Sequence, residues 1–175
     1  MNYQPKPGDY GIISTNGYIG FLIRLGTFSR WNHAFVYIGE INGFGGGWIV
    51  EATTKGVVLS HISKYDGIPI AWNNHEAWGT HSHLSEDEER KIIITEALKY
   101  VGYPYDFRDI IVLGFRCLGL KMPRLFTSKL LANPKRLICS ELIAILYKLA
   151  FRGEIVAKLV NLVTPCDLGW RLMYQ

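Results

Sequence analysis

Three residues far apart in the chain, Cys139, His33 and Glu51, have the types that nucleophilic acyl transfer requires. Cys139 follows Arg136-Leu137-Ile138 and precedes Ser140-Glu141-Leu142 at the start of an apolar stretch. A thiol attacks a carbonyl as its thiolate. A helix N-terminus favours that form by setting unpaired N–H groups and the positive end of the helix dipole beside the sulfur, and the same N–H groups can stabilise an oxyanion. The competing reading is a buried core cysteine, common on an apolar helix. His33 opens a run of aromatic and β-branched residues, His33-Ala34-Phe35-Val36-Tyr37-Ile38. A general base must be held in one orientation, and a strand end holds a ring while leaving it free to face a cleft; the alternative is a strand-end histidine meeting solvent. Glu51 lies in Ile49-Val50-Glu51-Ala52, and a hairpin between the two runs makes it a near neighbour of His33 across the ladder. A carboxylate there can accept the imidazole N–H and fix its tautomer; otherwise it is an exposed strand-end acid.

A second group of residues has the types that bind metal: His61, His75-Glu76 and His81-Ser82-His83. Their spacing matches no zinc pattern, and the His-Glu-x-x-His arrangement on a helix is absent, so a polar loop is the reading that spacing supports.

The elements that must position these side chains follow from periodicity and punctuation. Residues 8–14 read as a turn and a short strand, and 17–26 as a short helix closed by Gly26, with Tyr18, Phe21, Leu22 and Leu25 at helical spacing. Strands are expected at 33–40, 48–52, 57–60 and 68–72. The first two are joined through Asn42-Gly43 and the glycines at 45–47, and Pro69 puts the last at an edge. Residues 73–84 read as loop. Ser85 with Glu88 has capping-box spacing and opens a helix that runs to about Val101. Further helical character covers 106–132, broken by Pro123, and a strongly apolar helix covers 138–150. Val163-Thr164-Pro165-Cys166-Asp167-Leu168 reads as a turn back to the body. This order implies an α+β domain with one antiparallel sheet packed against helices.

Composition bounds the remaining choices. With 175 residues, 49% hydrophobic and 19% charged, the chain can bury one sizeable core as a single domain. A net charge of +4 is too mild for a nucleic-acid binder, and it fits an anionic surface such as a lipid headgroup layer or a cell-wall polymer. Three cysteines, Cys117, Cys139 and Cys166, are an odd and widely spaced set, so at least one thiol is free. The first residues lack the basic-then-apolar pattern of a secretory signal. Arg24, Arg116, Lys121, Glu141 and Lys148 interrupt the apolar runs before they reach membrane-spanning length, which predicts a soluble or peripheral protein. Residues 106–136 are both apolar and basic. They read as core-packing helices with solvated Lys and Arg, or as a lid, an acyl-chain groove or a peripheral membrane contact.

Taken in order, Pro7-Gly8-Asp9, Asn32-His33-Ala34 through Gly39, Val50-Glu51-Ala52 with Gly56-Val57, Gly102-Tyr103-Pro104-Tyr105-Asp106-Phe107, Cys139-Ser140-Glu141-Leu142-Ile143 and Thr164-Pro165 with Asp167-Leu168 resemble the permuted NlpC-like papain-fold enzymes. These are the YiiX/YaeF-like amidases, distant relatives of the lecithin:retinol acyltransferase group. The likeness runs from about residue 7 to 170. It implies a circularly permuted papain-like fold, with the histidine strand preceding the nucleophile helix. It also implies a cysteine peptidase or amidase needing no cofactor, with Cys139 as nucleophile, His33 as base, Glu51 as orienting acid and Tyr105 as oxyanion donor or cleft wall. Ser140 and Glu141 are expected to serve the helix start. Cys166 departs from the pattern, which often has a small residue such as glycine there, and 106–134 is longer than a minimal member needs. The implied substrate is an amide in a cell-wall peptide or similar isopeptide, or an ester or amide of a lipid. A non-catalytic binding domain and a metal-dependent hydrolase are the alternatives from other classes.

Overall fold

The computed structural model describes residues 3–41, 43–73, 84–106, 137–151 and 163–173. Five strands make one antiparallel sheet: β1 (Tyr10–Ile13), β2 (His33–Ile41), β3 (Phe44–Thr53), β4 (Gly56–His61) and β5 (Ala71–Trp72), in the order β4-β3-β2-β1-β5. Four helices are described: α1 (Tyr18–Thr27), α2 (Glu86–Lys99), α3 (Cys139–Phe151) and α4 (Pro165–Met173). The α+β class with an antiparallel sheet is as the sequence implied.

The two-residue period of β2 divides the interior. Ala34, Val36 and Ile38 join Val50 and Ala52 of β3 in the main core, where Leu142, Ile143 and Leu146 of α3 and Ile93 and Ala97 of α2 meet them. Phe35 faces the other way, into a smaller cluster with Ile13, Ile49 and Tyr65. α2 starts where the capping box foretold, with Ser85 accepting from the Glu88 N–H and the Glu88 carboxylate accepting from the Ser85 N–H.

The segment before α3 is tied to the sheet in two steps. Gly56, at φ 110°, turns β3 into β4, and a Cβ there would lie 2.6 Å from the Tyr103 carbonyl oxygen. That close approach lets the Val57 N–H donate to the Tyr103 carbonyl at 2.8 Å, while the Gly102 N–H donates to the Val57 carbonyl at 2.8 Å. Tyr105 then pairs in parallel with Leu137, the Leu137 N–H donating to the Pro104 carbonyl at 3.2 Å. Two residues later the chain reaches Cys139.

Several expectations are corrected. Gly45, Gly46 and Gly47 lie within β3, so they belong to the strand and not to the hairpin connection. The strand expected at 68–72 contracts to Ala71–Trp72 because Pro69 has no N–H to give a ladder; it is an edge strand. A 3-10 helix, Ile62–Tyr65, follows β4 where no element was expected. Residues 163–168 are a helix start and not a turn. Thr164 and Pro165 stand at the N-cap and first helical position, and the Asp167 carboxylate accepts from the Thr164 N–H at 2.9 Å and its hydroxyl at 2.8 Å. Residues 74–83 of the expected loop and 107–136 of the apolar basic stretch, Cys117 included, lie outside the described residues.

Candidate active site

His33 is the first residue of β2, and Glu51 stands opposite Phe35 in the β2–β3 register. Side chains two residues apart share a face, so His33 and Glu51 meet diagonally across the ladder. His33 Nε2 and Glu51 Oε2 are 2.7 Å apart. The histidine side chain is 12% exposed and the glutamate fully buried. Asn32, itself buried, anchors the strand entrance: its Oδ1 accepts from the Thr15 N–H at 2.8 Å and its Nδ2 donates to the Thr15 carbonyl at 2.8 Å.

Glu51 accepts from two further donors that sequence reasoning missed. The Tyr65 hydroxyl donates to Oε2 at 2.5 Å, and Lys64 Nζ donates to Oε1. Both lie on the 3-10 helix after β4, which His61 caps by accepting the Ser63 N–H at Nδ1, 3.3 Å away. That capping gives His61 a structural place apart from metal binding. The only sequence signal for the pair was a polar, aromatic tetrapeptide after a strand, which has no period to read.

These contacts set the electrostatics. Burial alone would raise the Glu51 carboxyl, but its bonds and charge interactions with His33 and its bond to Lys64 hold it down at about 2. Burial alone would likewise lower His33; its interactions with the Cys139 side chain and with Glu51 outweigh burial and raise it to about 9. Glu51 is therefore ionised at neutral pH, and Nε2 carries the proton that bridges the two side chains. The Tyr65 hydroxyl is pushed up by burial and by the Glu51 charge, so it stays protonated and donates.

Cys139 begins α3 and is 3% exposed. Ser140 donates to the Val163 carbonyl at 2.6 Å, joining the start of α3 to the segment before α4, and the Glu141 carboxylate caps the Ile138 N–H at 3.5 Å. Both residues serve the helix start, as expected. Tyr105 is buried, and its hydroxyl is pushed well up by burial and then by its proximity to Cys139 and Asp106. Cys166 is half-buried in the first turn of α4, a helical position in place of the expected turn residue; its thiol and that of Cys139 are both free. A cleft of about 420 Å³ opens on His33, Tyr65 and Tyr105 and is walled by Asn16, Tyr18 and Thr53. The structure thus groups His33, Glu51, Cys139 and Tyr105, and adds Lys64 and Tyr65. What the geometry fixes is an imidazole bonded through Nε2 to an ionised carboxylate that also accepts from Lys64 and Tyr65, with the Cys139 side chain interacting with that imidazole.

Among the described residues no three His, Cys, Asp or Glu side chains form a group able to hold a metal ion; His75, His81 and His83 lie outside them. No described helix is long and apolar enough to cross a membrane.

No protein-family model matches the sequence, and no curated protein matches it. Among solved structures, the chain is similar to the metalloprotein YiiX from Escherichia coli O157:H7, with a TM-score of 0.60, 18% identity, and coverage of 88% of this chain and 71% of that one. The likeness is one of fold, and it agrees with the YiiX-like resemblance of the motifs.

Proposed function

We propose that the chain is a cysteine-dependent hydrolase of permuted papain-like, NlpC-like architecture. Residues 1–175 then form a single catalytic domain, with 106–136 as a basic apolar insertion. The observation that carries this reading is His33 bonded at Nε2 to the buried Glu51 carboxylate and interacting as well with the Cys139 side chain. The Cys139 thiolate attacks a carbonyl carbon and forms a thioester as the C–N or C–O bond breaks. His33, which has taken the proton of the thiol beforehand, passes it to the leaving amine or alcohol. Glu51 keeps the ring oriented and stabilises the imidazolium, while Lys64 and Tyr65 keep Glu51 in place. Water then attacks the thioester and restores the thiol. Backbone N–H groups at the start of α3 and the Tyr105 hydroxyl are the donors for the oxyanion. No cofactor enters this scheme.

The resemblance favours an amide of a cell-wall peptide or isopeptide as substrate, with a lipid ester or amide next. Incubation with peptidoglycan fragments and, separately, with phospholipids, followed by mass spectrometry, tests both. An acyl adduct on Cys139 from one of them is expected, and Cys139→Ala abolishes turnover. Full turnover by Cys139→Ala on a verified substrate overturns the assignment. A metal-dependent hydrolase is the second reading, because the similar YiiX structure is of a metalloprotein. Stoichiometric metal in chelator-free protein, with activity lost on chelation, would favour it.

A further inference from the structure

α1 is turned against the usual rule. An amphipathic helix buries its apolar stripe, yet here Tyr18, Phe21, Leu22 and Leu25, within about 100° of one another on the helix, are all exposed. Tyr18 is 77% exposed, and Phe28, which ends the helix, 80%. The opposite side is the one that packs. Gly20 sits so close to Asn32 that a Cβ would lie 2.5 Å from its Nδ2. Arg24 donates to the Thr15 carbonyl at 2.6 Å, and the Thr27 hydroxyl returns to the Ile23 carbonyl. Phe28 adds a second anomaly: its φ of 50° puts a bulky aromatic residue in the left-handed conformation where a helix end favours glycine. The fold thus accepts both strain and exposure to present this ring.

Charge says what the stripe meets. Between Asp9 and Glu40 there is no carboxylate, and the charged residues are Arg24 and Arg30. Arg30 is exposed, its guanidinium 4.4 Å from the Trp31 ring centroid. Aromatic and aliphatic side chains beside an exposed arginine, in a segment free of carboxylates, suit the headgroup–acyl boundary of an anionic bilayer. They suit a second copy poorly, because the segment offers no carboxylate to meet Arg30 of a like face. Tyr18 belongs both to the stripe and to the wall of the cleft that opens on His33. We propose that α1 docks the protein on an anionic lipid bilayer, with the cleft mouth at the membrane surface.

The test is sedimentation of the full chain with vesicles of phosphatidylcholine alone and of phosphatidylcholine mixed with phosphatidylglycerol. Wild type is expected to pellet with the mixed vesicles and much less with the neutral ones. Phe21→Ser with Phe28→Ser lowers partitioning about tenfold or more, since two exposed rings no longer enter the bilayer, and Arg30→Glu lowers it about fivefold or more. Phe28→Gly separates docking from folding: it relieves the left-handed strain, so the melting temperature rises while binding falls. Cys139→Ala binds as wild type does, so this result is independent of whether the hydrolase reading stands. Wild type remaining in the supernatant with mixed vesicles, or the double variant pelleting equally well, overturns the proposal. So does a dimer that the double variant dissociates without any vesicle binding, which would make a second copy the occupant of the stripe.

Discussion

At the scale of single residues, the candidate site is a chain of dependencies that ends on the 3-10 helix. Cys139 depends on His33, His33 on Glu51, and Glu51 on Lys64 and Tyr65. His33 and Cys139 could be singled out because each opens an element, and Glu51 because strand pairing sets it diagonal to His33, whereas Lys64 and Tyr65 lie in four residues with no period. Tyr65→Phe tests their role. It removes one donor from a fully buried carboxylate, a loss of about 1–3 kcal/mol for such a group, and it loosens the imidazole that this carboxylate holds. The expected outcome is slower alkylation of Cys139 by iodoacetamide near pH 6.5, with the fold retained by circular dichroism; an unchanged rate would remove Tyr65 from the positioning network. The pH dependence of stability follows from the same contacts. His33 is raised to about 9, so its contribution is complete below its ordinary value of 6.5 and is lost as pH rises through 9. Glu51 is lowered to about 2, so its contribution is present above its ordinary 4.5 and is lost as pH falls through 2. Melting temperatures measured across pH should therefore decline at both ends. Glu51→Gln should move the alkaline decline to lower pH by removing the carboxylate that holds the imidazolium; an alkaline limb that does not move would count against this linkage.

At the scale of elements, the site depends on joints that sequence patterns mark unevenly. The strands and α2 were legible through alternation, apolar spacing and the Ser85–Glu88 box. The start of α4 carried its signals too, Thr at the cap and Pro after it, but those residues also open turns, and only the helix that follows decides between the two. Gly56 is the joint with the longest reach. Its left-handed φ and its approach to Tyr103 tie β4 to the segment that pairs Tyr105 with Leu137, immediately before Cys139. Gly56→Ala puts a methyl group into the Tyr103 carbonyl at a backbone conformation that resists side chains, so destabilisation by about 1–3 kcal/mol is expected. It should also quicken hydrogen exchange at the Leu137 amide. Exchange at that amide unchanged in a destabilised protein would mean that the joint bears on stability alone and does not position α3.

At the scale of the whole molecule, the N-terminal segment, the sheet and two helices are locked by one buried ion pair far along the chain from Cys139. Arg90 of α2 donates through one nitrogen to Asp9 Oδ1 at 2.9 Å and to the Pro7 carbonyl at 2.9 Å, and through Nε to Glu86 at 2.7 Å. The Tyr3 hydroxyl and the Lys6 N–H complete Asp9, each at 2.7 Å. Tyr147 of α3 donates to the Gly8 carbonyl at 2.7 Å, so the helix that begins with Cys139 is referenced to the same corner. Asp9 was visible in the sequence as part of Pro-Gly-Asp, but Arg90 was one basic residue among several on a charged helix face. Its partner 81 positions away could not be read from spacing. Breaking a buried pair by removing one partner strands the other charge, at about 3–5 kcal/mol, while removing both costs much less than the sum. Asp9→Ala and Arg90→Ala should therefore each lower stability steeply, and the double variant should recover a large part of the loss, as read from urea midpoints. Additive single losses would mean that solvent reaches the pair freely, and the referencing of α3 to this corner would then rest on the Tyr147–Gly8 bond alone.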